Sequence, residues 1–164
     1  MIKEEDLALT VQLTWGVKQS FRAYVEAVGG TVTVHAPALS ADTAFAFPRV
    51  DRAPSESPAG ELRFEGEVRF EAHGGMLSVA LIDPWIVFGP DGAVLTVVDT
   101  DYLPDRSKRL KIARLGGETS GDGAGRVEVP AALTVQGSQL LGDVYPAQTA
   151  LDPISFGMTV ESRQ

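Results

Sequence analysis

A regular alternation of apolar and charged residues over positions 61–72 constrains the fold of this chain more than any other feature. The even-numbered positions are apolar or small: Leu62, Phe64, Gly66, Val68, Phe70 and Ala72. The odd-numbered positions are all charged: Glu61, Arg63, Glu65, Glu67, Arg69 and Glu71. A period of two places the two sets on opposite faces of a β-strand, and a strand with one wet face is typical of an antiparallel sheet. The sequence therefore predicts a strand over 61–72, with a bulge, a bend or a close approach of another group at Gly66.

Glycine and proline divide most of the remaining chain into short runs that are rich in Val, Phe and Thr. This spacing of turn residues favours an all-β sandwich or barrel. The further strands predicted from these runs are 6–13, 31–35, 43–47, 76–82, 85–88, 93–99, 108–115, 126–135 (interrupted at Pro130) and 151–160. The 164 residues are enough to bury one core. We therefore expect a mainly β fold, an antiparallel sandwich or barrel-like single domain over residues 1–164.

One segment departs from this pattern and predicts a functional N-terminal α-helix over about 14–28. Its apolar residues fall on one stripe at helical spacing: Val17, Phe21, Tyr24, Val25 and Val28. Thr14 is placed to cap its N-terminus, and Gly29-Gly30 to end it. A second face carries small residues: Gly16, Ser20, Ala23 and Ala27. Tyr24 lies between the two faces, so it is either an aromatic of the core or a phenol beside a flat ligand that rests on the small residues.

Composition excludes several classes of partner. The net charge of −8 and the pI near 4.7 argue against nucleic acid and against anionic membrane surfaces. The chain has no cysteine, and no apolar run is long enough to span a bilayer. The acidic N-terminus lacks the apolar core of a secretory signal, so we expect either a cytoplasmic protein or a chain whose leader has been removed.

No catalytic constellation is visible in the sequence, and an enzyme is not expected. The two histidines, His35 and His73, lie in no motif that combines a nucleophile, a base and an orienting group, and no metal-ligand spacing such as His-Glu-x-x-His occurs. His73 directly precedes Gly74-Gly75, where the backbone can bend sharply. It is therefore either an exposed turn residue or a functional side chain that the turn redirects.

Three sequence blocks nevertheless form a specific pattern. The first is Trp15-Gly-Val-Lys-x-Ser-Phe-Arg-x-Tyr24-Val in the predicted helix. The second is a strand that ends in His73-Gly-Gly, followed by an alternating strand and Pro84. The third is Tyr145 shortly before Leu-Asp-Pro153. In this order and spacing the blocks resemble the HtaA domain, a module of the haem-uptake proteins of corynebacteria and other actinobacteria.

The resemblance implies a β-domain that binds ferric haem b and carries or transfers it in haem uptake. In such a domain Tyr24 would be the axial iron ligand, His73 would hydrogen-bond that tyrosine, and Tyr145 would contribute to binding. Near Tyr24, Lys18, Ser20 and Arg22 are candidates to hold the haem propionates. Apolar walls are expected from Phe45, Phe47, Met76 and Trp85.

The resemblance also implies a secreted or cell-surface location. It implies other haem-binding proteins or a haem importer as partners in transfer. Two other functions remain open at this point: a structural or adhesion β-domain that does not bind haem, and an intracellular enzyme acting on haem or another tetrapyrrole. Titration with hemin separates the first from a haem carrier, and turnover of hemin with a reductant identifies the second.

Overall fold

Antiparallel strands make up most of the residues that the computed structural model describes, which are 12–41, 43–50, 60–116, 120–121 and 126–157. The strands are β1 (Gln12–Trp15), β2 (Thr31–His35), β3 (Leu39–Ala41), β4 (Ala44–Pro48), β5 (Glu61–Arg63), β6 (Glu67–Ala72), β7 (Leu77–Ile82), β8 (Trp85–Gly89), β9 (Gly92–Val98), β10 (Arg109–Leu115), β11 (Ser120–Gly121), β12 (Arg126–Leu133) and β13 (Ala150–Gly157). The helices are α1 (Gln19–Ala27) and α2 (Val135–Leu140), with 3-10 turns at His73–Gly75 and Thr100–Tyr102. The predicted mainly β, antiparallel fold is confirmed.

The described strands form one large and one small sheet. The large sheet has the order β3-β4-β1-β13-β12-β10-β9-β8-β5, and β11 pairs with β12. The small sheet has the order β2-β6-β7. Strand β1 lies between β4 and β13, so a strand near the start of the chain pairs directly with the last described strand. Neither described helix has the length and apolar character needed to cross a bilayer.

The hydrophobic core joins both sheets and α1 in one cluster. Phe21 and Val25 are the buried residues of α1. The ring of Phe21 contacts Phe70 of the small sheet edge-on, with centroids 5.1 Å apart. Phe45 of the large sheet contacts the same Phe70 ring at 5.8 Å. Phe70 therefore links the helix to both sheets, as expected for an aromatic residue with a large buried area.

The alternating segment 61–72 forms two strands instead of the single strand predicted. Residues Glu61–Arg63 pair with β8 in the large sheet, whereas Glu67–Ala72 pair with β2 and β7 in the small sheet. Gly66 lies between them at φ +133°, and a Cβ there would lie 2.5 Å from the Cβ of Ala38. The prediction of one strand was wrong because a period of two indicates which face of a strand is buried, but not which strand it pairs with. The predicted bend or close approach at Gly66 is confirmed.

Helix α1 is shorter than predicted, and the expected cap at Thr14 is wrong. Thr14 lies in β1, where it is paired with Ala46 and Ser155. The helix starts five residues later, and its N-cap Lys18 makes no side-chain capping hydrogen bond. The predicted stop is correct, because Gly29 adopts φ +76° directly after the C-cap Val28. Thr14 has the hydroxyl of a capping residue, but pairing with two strands fixes its backbone in an extended conformation.

Replacement of Gly66 tests the connection between the sheets. We expect Gly66→Ala to lower the free energy of unfolding by about 2 kcal/mol or more, because the new methyl group meets Ala38 and the backbone is left-handed. The matched control is Gly89→Ala, whose Cβ would have 3.6 Å of clearance and whose φ is not left-handed; it should change the free energy by no more than about 0.5 kcal/mol. Urea denaturation measures both, and equal effects would contradict this account.

Candidate functional site

A hydrogen bond between Tyr24 and His73 joins α1 to the turn between β6 and β7. The phenol oxygen of Tyr24 lies 2.5 Å from Nε2 of His73, and the ring centroids are 5.8 Å apart. The side chain of Tyr24 is on the surface, with 41% of its residue area exposed. A short hydrogen bond between two exposed groups of complementary acid–base character is typical of a functional site rather than of core packing.

The backbone of the β6–β7 turn directs His73 towards the helix. His73, Gly74 and Gly75 have φ values of +56°, +64° and +95°, a run of three left-handed residues. Continued alternation along β6 would have placed His73 with Glu71 and Arg69 on the wet face. The turn redirects the side chain, which supports the functional alternative for His73.

Close approach of the helix end to β6 completes this geometry. A Cβ at Gly30 would lie 3.0 Å from the Cβ of Ala72, the residue before His73. The absence of a side chain at Gly30 therefore lets the chain leave α1 directly against β6. This close packing brings the C-terminal end of α1 against the residue that precedes His73.

A second polar contact involves Ser20, which lies one helical turn before Tyr24. The Ser20 hydroxyl oxygen is 3.3 Å from the phenol oxygen of Tyr145. The Tyr145 ring contacts Phe21 edge-on at 6.4 Å, and the Lys18 ammonium lies 5.4 Å from the centre of that ring. The structure thus brings Ser20, Tyr24, His73 and Tyr145 to one side of α1.

The segment that carries Tyr145 also approaches the β6–β7 turn. A Cβ at Gly142 would lie 3.1 Å from Cδ1 of Leu77, the first residue of β7. The neighbouring Met76 is 90% exposed, and Val144 is 63% exposed. Two segments that are distant in sequence therefore meet beside α1, and each carries an exposed apolar side chain.

Arg22 is not brought to this side of the helix. Its guanidinium lies 2.8 Å from the carboxylate of Asp152 and donates to the carbonyl of Gly16 at 2.5 Å. Residues two positions apart on a helix point about 200° away from each other, so Arg22 faces away from Tyr24. The ammonium of Lys18 donates to the Ala150 carbonyl at 2.9 Å.

Of the four apolar wall residues expected, Met76 alone belongs to the turn that carries His73, where its N–H donates to the His73 carbonyl at 3.1 Å. Phe45 and Phe47 are buried in the core. Trp85 lies beyond β7, a strand of six residues that spans about 20 Å. Two guanidinium groups cover the Trp85 ring, those of Arg63 at 4.2 Å and Arg109 at 3.9 Å.

Asp152 is a residue of this region that the sequence reasoning missed. Its carboxylate accepts a hydrogen bond from the backbone N–H of Gln19 at 3.1 Å and pairs with Arg22. Its carbonyl accepts from the Trp15 indole at 2.7 Å, and its N–H donates to the Val17 carbonyl at 2.9 Å. The signal was present, because Asp152 is the central residue of Leu-Asp-Pro153, but the sequence alone gave it no partner.

The site offers one exposed phenol with a base beside it and no preformed metal cage. Within the described part of the chain, no group of three or more His, Asp or Glu side chains is arranged to hold a metal ion. A phenol whose oxygen is hydrogen-bonded to an imidazole can pass its proton to that ring when the oxygen binds a Lewis acid. The arrangement therefore suits a metal centre that arrives with its own ligands and needs one further oxygen donor.

Comparisons with known proteins agree with this fold. The family model HtaA, described as "Htaa", matches residues 10–157. The crystal structure of the C-terminal domain of HtaA from Corynebacterium glutamicum is similar at 27% identity, with a TM-score of 0.65 over 90% of this chain and 95% of that domain. A search among curated proteins found no match.

Two more distant structures support the fold alone. The N-terminal domain of HtaA from the same organism has 23% identity and a TM-score of 0.69 over 90% of this chain and 96% of that domain. "Heme binding protein HtaB", also from Corynebacterium glutamicum, has 20% identity and a TM-score of 0.66 over 89% of this chain and 90% of that one.

Proposed function

The chain belongs to the HtaA family, and from this premise we propose that it binds ferric haem through Tyr24 and acts as a haem carrier. The observation that carries the proposal is the 2.5 Å hydrogen bond between the exposed Tyr24 phenol and His73. The name of HtaB, a structural neighbour described as heme binding, points to the same ligand. Membership of the family also assigns the chain to a class of binding modules rather than to an enzyme class.

The chemistry of the pair fits a ferric porphyrin. A free phenol has a pKa of about 10, so an unassisted phenol is a poor ligand at neutral pH. His73 Nε2 is placed to accept the phenolic proton and then to donate a hydrogen bond back to the oxygen. Tyrosinate is a known axial ligand of haem, and bound haem would supply the ferric iron that this oxygen meets.

The surroundings of Tyr24 fit a flat macrocycle. Ser20, Ala23 and Ala27 are exposed on the helix and have short side chains, so a planar ligand can approach the backbone. Tyr145 and Ser20 offer two hydroxyl groups beside this surface, and Met76 of the β6–β7 turn offers an exposed thioether. Gly16, predicted to belong to the small face, is buried against Arg22 and Asp152 and serves packing instead.

The wider role follows from the same proposal. A hard anionic oxygen favours Fe(III) over Fe(II), which suits a protein that takes up ferric haem and later releases it. We propose that residues 1–164 act as one domain and that the protein works at the cell surface or in the secreted fraction. Its partners would be other haem-binding proteins or a haem importer. Arg22 is not assigned to the propionates, because its guanidinium pairs with the carboxylate of Asp152.

Removal of the phenol oxygen tests the ligand assignment. With hemin, the wild-type protein should show a Soret band and the charge-transfer bands of high-spin ferric haem, and Tyr24→Phe should lose the charge-transfer bands and most of the affinity. The control is Tyr102→Phe, because Tyr102 is also exposed (54%) but lies in the Thr100–Tyr102 turn and not in α1. An unchanged spectrum for Tyr24→Phe would refute the ligand, and no Soret shift in wild type would favour a structural domain.

Removal of the imidazole tests the supporting role of His73. We expect His73→Ala to bind hemin about 10- to 100-fold more weakly, as is typical for loss of a partner that orients a metal ligand. Circular dichroism should be unchanged, because His73 is exposed and lies in a turn. His35→Ala is the matched control, and equal loss of affinity in both variants would contradict the proposed role.

Reduction of the iron tests the oxygen ligand independently of any substitution. Dithionite should speed the transfer of haem to excess apomyoglobin, because ferrous iron binds a phenolate less strongly than ferric iron does. The rate is measured by absorbance under anaerobic conditions. A rate that is unaffected by reduction would argue against a tyrosinate ligand and for a neutral one.

A further inference from the structure

Helix α1 carries the candidate ligand but cannot fix its own position. It has nine residues, and isolated helices of this length are marginal in water. Its N-cap Lys18 supplies no side-chain hydrogen bond to the first turn, and only Phe21 and Val25 are buried. Two apolar anchors on one face allow a short helix to slide or turn about its axis unless polar contacts fix it.

Asp152 supplies those polar contacts from the opposite end of the sequence. One carboxylate oxygen accepts the backbone N–H of Gln19 at 3.1 Å, and the other lies 2.8 Å from the guanidinium of Arg22. The carboxylate therefore holds both the start of the helix and a side chain three residues further along. A carboxylate at this helix end is also favoured by the helix dipole.

The backbone of Asp152 also holds the chain that leads into α1. Its N–H donates to the carbonyl of Val17, and its carbonyl accepts from the Trp15 indole. Val17 is a buried β-branched residue at φ +67°, a conformation that such residues rarely adopt. Asp152 thus stabilises the strained entry to the helix as well as its first turn.

A small rotation of α1 would be enough to disrupt the site. At the surface of a helix, about 5–6 Å from its axis, a rotation of roughly 10° displaces a side-chain atom by about 1 Å. Hydrogen-bond distances for N–H···O span only about 0.5 Å. The 2.5 Å contact between Tyr24 and His73 therefore requires the rotation of α1 to be closely fixed.

We propose that Asp152 is a positioning residue for haem binding: by holding Gln19, Arg22 and Val17, it sets the rotation of α1 that places Tyr24 against His73. The inference rests on the proposed function, because it assigns Asp152 to the same site. Asp152 acts through the helix, since its carboxylate is occupied by Gln19 and Arg22 on the flank away from Tyr24.

The test uses Asp152→Asn, which keeps an oxygen for the Gln19 N–H and removes the charge that pairs with Arg22. We expect hemin binding about tenfold weaker for Asp152→Asn and for Arg22→Ala, and weaker still for Asp152→Ala. In the double variant Arg22→Ala/Asp152→Asn, the effects should not add, because both substitutions remove the same ion pair. Asp99→Asn is the control, since Asp99 also accepts from a backbone N–H, that of Asp101 in the Thr100–Tyr102 turn.

A readout without haem separates this proposal from the proposed function. The chain has two histidines, so ¹⁵N-labelled imidazole resonances report His73 with His35 as an internal reference. At fixed pH, Asp152→Asn should shift the His73 resonances towards those of Tyr24→Phe and leave His35 unchanged. If wild type fails to bind hemin but this shift occurs, the proposed function fails, whereas the placement of Tyr24 against His73 by Asp152 stands.

Two results would overturn the positioning role. The first is wild-type His73 resonances and wild-type hemin affinity in folded Asp152→Asn. The second concerns Ile154→Val, a core substitution on the same strand. If Ile154→Val loses as much thermal stability as Asp152→Asn and also shows the same loss of hemin affinity and the same His73 shift, the effect of Asp152→Asn is one of stability alone. Asp152→Asn is nearly isosteric, so it gives an answer even where Asp152→Ala does not fold.

Discussion

The contact between Phe21 and Phe70 is the interaction on which the candidate site depends. It attaches α1 to the small sheet, and Phe45 extends the same aromatic cluster into the large sheet. Because Phe21 and Val25 occupy the buried side of the helix, Ser20 and Tyr24 are left at its exposed border. Burial on one side thus determines which residues remain available on the other, and the polar contacts adjust the final rotation.

The sequence predicted the β class, the buried face of 61–72 and the stop of the helix, because each follows from local periodicity or from a glycine. It did not predict that 61–72 would be divided between two sheets, since strand partners are set by long-range packing. The cap at Thr14 was wrong for the same reason: Thr14 is held by Ala46 and Ser155. The predictions from local sequence were correct where pairing with a distant strand did not determine the backbone conformation.

The candidate site was predicted in part. Similarity to the HtaA domain pointed to Tyr24, His73 and Tyr145, and the structure brings these to one side of α1 together with Ser20, which was a candidate because it lies near Tyr24 in the sequence. The prediction for Arg22 and for the aromatic walls came from proximity in sequence, which ignores direction. Arg22 lies on the opposite flank of α1, and Trp85 lies between two arginines at the far end of β7. Helical periodicity shows which residues share a side of α1, but only the fold shows which residues each side contacts.

The pairing of β1 with β13 also has a kinetic consequence. Leu13 is opposite Phe156, so these two strands can meet only after nearly the whole described chain has been brought together. Contacts of such long sequence separation slow folding, because the loop must close before the contact contributes. Since Asp152 belongs to β13, its contacts with the residues that lead into α1 cannot form before β13 has paired with β1. In a chain emerging from a ribosome, the contact between Tyr24 and His73 would therefore be among the last to form.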